Sequence, residues 1–180
     1  HDNYIHDCGY AGMMFLSCNL GKCYANWIST ITPGAGNMYG ISFTHNSPGF
    51  NIDPTLNPFC EDWEVFGNNI RSVNWQGIDT HGCYRFTVTN NTTYDCKQGI
   101  SVTGSSGDAT NYAGSYNVCS NNVCDGGPTY GNNGHGITVQ GGTIQPQKGL
   151  VCIGNTIRRH GAPAGSGWYA LLVGNGLLDS

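Results

Sequence analysis

Residues 65–102 read VFGNNIRSVNWQGIDTHGCYRFTVTNNTTYDCKQGISV and contain one pattern twice. A Gly-Ile step begins at Gly77 and begins again at Gly99. An asparagine step precedes each of them, at Asn68 and at Asn91, so both steps recur after nearly the same interval. A fixed period of about 22 residues is typical of repeat architectures, in which stacked units bury a core that no single unit buries alone. We therefore expect one small unit of structure per repeat.

The same two steps recur along the whole chain. The asparagine step lies at Asn3, Asn26, Asn68, Asn91, Asn121 and Asn155. The glycine step follows each asparagine, at Gly12, Gly40, Gly77, Gly99 and Gly136, with Ala170-Leu171-Leu172-Val173 as a degenerate sixth copy. The intervals between successive asparagines are unequal, and the shortest ones equal the period of residues 65–102. This spacing predicts six repeats with insertions between some of them.

The period predicts short strands. About 22 residues accommodate three strands of four or five residues with their turns, and parallel neighbours lie ~4.8 Å apart. Within a Gly-Ile-x-Val step the Ile and Val point inward and x points outward, because side chains alternate across a strand. An asparagine at the same turn of every repeat predicts an internal ladder, in which each amide bonds to the repeats above and below and satisfies the backbone of the turn.

The alignment also predicts interior columns. One column contains Cys23, Val65, Val88, Val118 and Cys152, and another contains Cys8 and Cys96. The chain has nine cysteines with no CxxC pair and no zinc-type spacing. Two interpretations stay open: disulfides in a secreted protein, or small buried thiols that fill a stacked core.

Composition favours an all-β chain without a basic surface. The 180 residues include 28 Gly and 20 Asn but only two Glu and three Lys, so residues that tolerate tight turns outnumber helix formers. Seven Lys and Arg against eleven Asp and Glu give a net charge of −4, which argues against nucleic acid and against an anionic membrane surface. No apolar run is long enough to span a membrane.

The repeat resembles the right-handed parallel β-helix of the pectate-lyase-like superfamily, which includes polysaccharide lyases, some glycoside hydrolases, mannuronan epimerases and phage tail spikes. The resemblance implies an all-β, right-handed, single-stranded parallel β-helix of about six coils over residues 1–180. We expect this single domain to belong to a longer chain or an assembly, because the sequence begins within the pattern. Residues 44–62, 104–116, 125–135 and 160–167 lack the period and are expected to be long loops that wall a groove.

Asp79 and His81 are the candidate catalytic residues. They alternate along one strand, so both are expected to face outward, about 7 Å apart. Such a pair suits proton abstraction beside a uronate carboxyl group, or acid–base work on a glycosidic bond. The stretch GIDTHG, residues 77–82, resembles the GFDPHE-type element of mannuronan C5-epimerases, in which the Asp and the His are catalytic. The resemblance implies those roles for Asp79 and His81.

The sequence departs from that family at three supporting positions. Thr80 replaces the proline, Gln76 replaces the family's tyrosine with Trp75 beside it, and Thr103 stands where an acidic residue is expected. We expect Trp75, Gln76 and Thr103 to contact substrate.

Three further residues are predicted to bind substrate: Arg85, His135 and Gln140. Gly134-His135-Gly136 resembles the GHG of polygalacturonases, but the Asn-Thr-Asp and Asp-Asp elements of those hydrolases are absent from the sequence. We expect His135 to precede its strand by one residue and to line the groove.

The outward positions of the glycine strands form a predicted strip. It runs through Met14 and Leu16, Ser42 and Thr44, Asp79 and His81, Ser101 and Thr103, Thr138 and Gln140, then Leu172. A polar, hydroxyl-rich strip of this kind fits a neutral or weakly charged glycan. A polyuronate would need more positive charge, and only Arg71 and Arg85 are near Asp79 and His81 in the sequence.

The sequence therefore predicts an extracellular protein, secreted or on a virion surface, that binds and modifies a polysaccharide in a lyase-like or epimerase-like way. The alternative is a non-catalytic structural or adhesive segment, such as a tail spike, a fibre or a filament subunit. Partners are expected to be a polysaccharide and either further copies or flanking domains that cover the terminal coils. No metal site is predicted, and the cofactor requirement is open.

Overall fold

The computed structural model describes residues 1–32, 37–44, 59–103, 114–131, 134–140, 148–160 and 169–173, without the side chains of Thr103 and Gln140. Regular structure in these residues is β-strand, with no α-helix. Within the same ranges, no helix is long and apolar enough to cross a membrane. Most of three expected loops lies outside the described residues, namely 45–58, 104–113 and 161–167, whereas residues 126–131 of the fourth are described and contain no strand.

The strands of the described residues follow in chain order. They are β1 (Tyr4–Cys8), β2 (Ala11–Leu16), β3 (Asn19–Tyr24), β4 (Trp27–Ile31), β5 (Tyr39–Thr44), β6 (Glu61–Phe66), β7 (Asn69–Asp79), β8 (Thr87–Thr89), β9 (Thr92–Thr103), β10 (Val118–Ser120), β11 (Val123–Asp125), β12 (His135–Gln140), β13 (Val151–Ile153), β14 (Thr156–Arg158) and β15 (Leu171–Val173).

The strands stack in three parallel rows. The first row is β1-β4-β7-β9-β11-β14, and the third row is β3-β6-β8-β10-β13. The second row runs β2-β5-β7-β9-β12-β15. Strands β7 and β9 are 11 and 12 residues long and pass through both the first and the second row. The predictions of an all-β chain and of parallel strands are confirmed, and the first two rows each pass through six strands of the described residues.

Backbone register explains the glycine step. In the second row Met13, Ile41, Ile78, Ile100, Ile137 and Leu171 are successive partners. The four isoleucines have no exposed surface, so this column is core, as predicted. A Cβ atom on Gly77 would lie 2.6 Å from the carbonyl oxygen of Gly99, which leaves no room for any other residue.

The asparagine ladder is present. Each Nδ2 donates to the Oδ1 of the next asparagine at 2.8–3.1 Å, through Asn3, Asn26, Asn68, Asn91, Asn122 and Asn155. The backbone nitrogens donate to the same oxygens, for example that of Asn68 to Asn91 at 3.0 Å. The prediction of Asn121 at this position is wrong, because Val123 and Cys124 pair with Thr92 and Thr93 and so place Asn122 beside Asn91.

The residue before every ladder asparagine has a positive φ angle. These residues are Asp2 (55°), Ala25 (54°), Gly67 (63°), Asn90 (55°), Asn121 (54°) and Gly154 (68°). Left-handed backbone is tolerated best by Gly, Asn and Asp, which occupy five of these six positions. The chain's richness in Gly and Asn therefore follows partly from the sharp turn that each repeat makes.

The cysteine columns agree with the prediction except at one position. Cys8 and Cys96 share a column through Ile31 and Val73. The other column is Cys23, Val65, Val88, Cys119 and Cys152, so the prediction of Val118 is wrong. All nine cysteines are free thiols and six of them are buried, which is the second of the two interpretations left open.

Candidate functional site

Asp79 lies where the prediction placed it in the second row. Its column contains Met14, Ser42, Asp79, Ser101, Thr138 and Leu172 as successive register partners. However, Ser42, Asp79, Ser101 and Thr138 are all buried. The expectation of an exposed polar strip at these positions is therefore wrong. Alternation along a strand decides which face a side chain takes, but it does not decide what covers that face.

Asp79 and His81 form a direct pair. The Nδ1 atom of His81 lies 2.7 Å from the Oδ2 atom of Asp79, and the Ser42 hydroxyl donates to the same oxygen at 3.2 Å. The expected arrangement, two outward side chains held apart along one strand, is wrong because β7 ends at Asp79 and the chain turns. The turn is closed by a hydrogen bond from the Cys83 nitrogen to the Thr80 oxygen at 2.8 Å. The turn returns the imidazole to the carboxylate.

The two members of the pair differ in exposure. The Asp79 side chain has no exposed surface, whereas 24% of the His81 side chain is exposed. The other carboxylate oxygen, Oδ1 of Asp79, is buried and has no hydrogen-bond partner among the described residues. Of the two side chains, only His81 can therefore contact a ligand from solvent. Asp79 contacts His81 from the protein interior.

Electrostatics favour a protonated imidazole. The Asp79 carboxylate raises the pKa of His81 above its usual value, although burial of the ring acts in the opposite direction. Burial, and secondly the charge of Asp79, raise the pKa of Tyr39 to about 12. The phenol of Tyr39 therefore stays neutral near pH 7.

Gln76 and His135 lie in one column, next to that of the isoleucines. Gln76 pairs in register with Gln98, which in turn pairs with His135. The Nε2 atom of Gln76 donates to the Gln98 Oε1 at 2.9 Å and to the Ser101 hydroxyl at 3.0 Å. Both Gln76 and His135 are buried. Neither side chain is therefore open to a ligand, although both were predicted to contact substrate.

His135 is the first residue of β12, so the expectation that it precedes the strand is wrong. The backbone nitrogen of Tyr169 donates to its Nδ1 atom at 3.0 Å, and the two rings stack with centroids 6.0 Å apart. Burial lowers the pKa of His135. The hydrogen bond and the ring stacking with Tyr169 account for the buried position of His135.

The remaining predicted site residues are dispersed. Trp75 packs partly buried against the core, and the Nζ atom of Lys97 lies 4.6 Å from its ring centroid. Arg85 stands before β8 of the third row, where its guanidinium binds the carboxylates of Asp62 and Glu61, each at 2.6 Å. Thr103 and Gln140 are register partners, and their side chains lie outside the described residues.

The predicted strip already placed Ser42 beside Asp79, and the register of β5 and β7 confirms it. Tyr39 was not predicted to belong to the Asp79 cluster, although the register of the glycine step aligns Tyr39 with Gln76. A separate hollow of about 420 Å³ lies in the third row and is lined by Glu64, Phe66, Thr87, Thr89 and Asn90. None of the predicted site residues lines it.

No group of three or more His, Cys, Asp or Glu in the described part of the chain could hold a metal ion. The aromatic side chains of Tyr116 and Tyr169 are exposed, and exposed rings of this kind can stack on the apolar face of a sugar. Comparisons of the chain with protein-family models, with curated proteins and with solved structures give no significant match.

Proposed function

We propose that the chain is a right-handed parallel β-helix of the pectate-lyase-like type, and that it binds and modifies an extracellular polysaccharide with His81 as the acid–base group. Three rows of parallel strands, a buried asparagine ladder and one strand per row in successive repeats support the architecture. The location outside the cell, secreted or on a virion, belongs to the same proposal.

The observation that carries the chemistry is the pairing of a fully buried carboxylate with a partly exposed imidazole. In this proposal Asp79 is a positioning residue, since it has no surface with which to touch a sugar. It holds Nδ1 of His81 and stabilises the imidazolium, which leaves the rest of the ring to exchange a proton with the substrate. The neutral ring would take the proton next to a uronate carboxyl group, and the protonated ring would donate one to a glycosidic oxygen.

The second candidate function is a non-catalytic structural or adhesive segment. It is favoured by the burial of Ser42, Ser101 and Thr138, which leaves little polar surface beside His81 for a sugar chain. It is also favoured by exposed aliphatic side chains on β13 and β15, namely Val151, Ile153, Leu171 and Val173. Such side chains suit contact with further polypeptide, either a second copy or a flanking domain.

The two functions are separated by incubating the protein with uronate-containing and neutral polysaccharides. Short-wavelength ultraviolet absorbance reports the unsaturated product of β-elimination. A reducing-end assay reports hydrolysis, and the NMR spectrum of the polymer reports epimerisation. Turnover that His81→Ala abolishes supports the enzyme. His6→Ala is the matched control, because His6 also pairs with a neighbouring aspartate at 2.7 Å but both side chains are exposed. Binding without turnover, unchanged by His81→Ala, would instead support the adhesive segment.

A further inference from the structure

The outer face of the first row has an arginine held between two aromatic rings. The guanidinium carbon of Arg71 lies 4.7 Å from the ring centroid of Trp27 and 5.7 Å from that of Tyr94. Arg71 and Tyr94 are register partners on β7 and β9, and Trp27 pairs with the neighbouring Asn69. The residues between them, such as Ile70, are buried, so alternation places these three side chains on the outward face.

The same face continues along the stack. The guanidinium carbon of Arg159 lies 5.8 Å from the Tyr94 ring centroid. Asp125, the register partner of Tyr94, binds the Nε atoms of Arg159 at 2.6 Å and of Arg158 at 2.9 Å. We call the set Trp27, Arg71, Tyr94, Asp125, Arg158 and Arg159 the stacked row. It combines three arginines with one carboxylate on a chain whose net charge is −4.

Arg71 has no carboxylate partner among the described residues. Its Nε atom donates to the Asn69 side-chain oxygen at 2.9 Å. The guanidinium lies over the Trp27 ring and near the Tyr94 ring, and the planar edge of an arginine is the part that binds carboxylate, sulfate or phosphate. Trp27 keeps 39% of its surface exposed, which is open to an apolar sugar face. Arg158 and Arg159 are also 62% and 60% exposed, although Asp125 binds both.

We propose that the stacked row binds an acidic polysaccharide, with sugar rings against Trp27 and with the acidic groups at the edges of the arginines. Neighbouring strands of the first row are ~4.8 Å apart, and Arg71 lies several strands from Arg158 and Arg159. The spacing of their positive charges therefore suits a polymer whose negative charges are also widely spaced. A nucleic acid strand is less favoured, because it carries a phosphate on every nucleotide, whereas two of the three arginines in the stacked row are already bound to Asp125. This site lies on the first row and does not depend on the proposed chemistry of His81 on the second.

Isothermal titration calorimetry tests the proposal with polygalacturonate and alginate as acidic probes, dextran as the neutral probe and poly-dT as the anionic probe without sugar acids. We expect binding of at least one acidic glycan that weakens with added salt, and much weaker binding of dextran and poly-dT. Arg71→Ala is expected to weaken acidic-glycan binding about tenfold, and Arg71→Lys to weaken it less, since lysine keeps the charge but not the planar edge.

One control accompanies these variants. Lys22→Ala removes one positive charge from the third row, where Lys22 pairs with Glu64 at 3.0 Å, and is expected to leave binding unchanged. Glycan binding by the Arg71 variants and turnover by His81→Ala are separate measurements, so a failure of the stacked row and a failure of the catalytic proposal are distinguished. Far-UV circular dichroism confirms that the variants are folded. The proposal is overturned if neither acidic glycan binds, if dextran or poly-dT binds as tightly, or if folded Arg71→Ala and Arg71→Lys both bind like the wild type.

Discussion

The Oδ2 atom of Asp79 lies 2.7 Å from the Nδ1 atom of His81, the same separation that joins Asp7 to His6. The two pairs differ in their surroundings. The side chains of His6 and Asp7 are 50% and 68% exposed, whereas those of His81 and Asp79 are 24% and 0% exposed. Water screens the electrostatic attraction in the exposed pair and screens it much less in the buried pair. The same contact distance therefore gives a stronger interaction between Asp79 and His81.

The first prediction concerns the titration of His81. Because the charge of Asp79 raises its pKa, we expect Asp79→Asn to lower the pKa of His81, and burial of the ring to dominate in the variant. NMR titration of the imidazole carbon-bound protons measures this change directly. Asp7→Asn is the control and is expected to leave the His81 titration curve in place. An unchanged His81 pKa in Asp79→Asn would contradict the assigned pairing.

The same shift has a consequence for stability. A histidine whose pKa is raised in the folded state stabilises the fold fully below its unfolded value of 6.5, and this contribution is lost as pH rises through the folded-state pKa. We therefore expect His81→Gln to lower the free energy of unfolding more below that unfolded value than at alkaline pH. Urea unfolding of both proteins across the pH range tests this, and a difference that does not depend on pH would refute it.

The next prediction concerns the asparagine ladder. The Asn68 side chain accepts from Asn26 and donates to Asn91 and to the backbone oxygen of Cys23. Asn68→Ala leaves buried groups without partners, so we expect a loss of about 3 kcal/mol in the free energy of unfolding. Asn69→Ala is the matched control: that side chain is only partly buried, and we expect a loss of less than about 1 kcal/mol. Equal losses in the two variants would rule out the ladder as a main source of stability.

Ala25 provides a test of opposite sign. It adopts a φ of 54° at the turn where the equivalent residue of the next repeat is Gly67. Because a left-handed alanine costs about 1 kcal/mol relative to glycine, Ala25→Gly is expected to raise the unfolding midpoint. Ala11→Gly is the control, since Ala11 lies in β2, where glycine weakens a strand. Thermal unfolding of both variants decides the point, and stabilisation by neither would contradict the assigned strain at this turn.

Much of the fold could be predicted from the sequence. The spacing of Asn68 and Asn91, together with Gly77 and Gly99, predicted stacked parallel strands, because each residue type has a backbone or packing role that recurs once per repeat. The errors at Asn121 and Val118 come from one slip. Two adjacent asparagines fit the pattern, and choosing the first shifted that repeat by one residue, which moves every side chain of a strand to the other face.

The site was less predictable for a different physical reason. The pattern predicted that Asp79 stands on the outward face, and the register confirms its column. A repeat pattern does not determine what covers that face, and the turn after β7 follows backbone angles that have no period. The approach of His81 to Asp79 and the hydrogen bond from Ser42 therefore emerge only in three dimensions.

A further prediction concerns Asp95, a buried residue with a φ of 55°. Its Oδ1 atom accepts hydrogen bonds from the backbone nitrogens of Thr129 (2.8 Å), Tyr130 (2.7 Å) and Gly131 (3.3 Å). Asp95→Ala removes the acceptor and places alanine in left-handed backbone, so we expect a loss of about 3 kcal/mol in the free energy of unfolding. Asp95→Asn keeps an acceptor and tolerates that backbone, and is expected to lose less.

Amide hydrogen exchange locates the effect of Asp95. We expect exchange at Thr129, Tyr130 and Gly131 to accelerate in Asp95→Ala more than exchange at the ladder asparagines. Uniform acceleration across the chain would show that Asp95 stabilises the fold as a whole and has no special role in holding this turn.

The central claim is that a buried Asp79 makes His81 the proton-exchanging group for a polysaccharide. The most direct measurement is the turnover of an acidic polysaccharide by the wild type, His81→Ala and Asp79→Asn, with binding of the same polymer measured in parallel. We predict that His81→Ala lowers turnover about 100-fold or more, that Asp79→Asn lowers it and shifts its pH profile to lower pH, and that binding persists in both. Turnover that survives His81→Ala, or binding by all three proteins with no turnover by any, would contradict the claim.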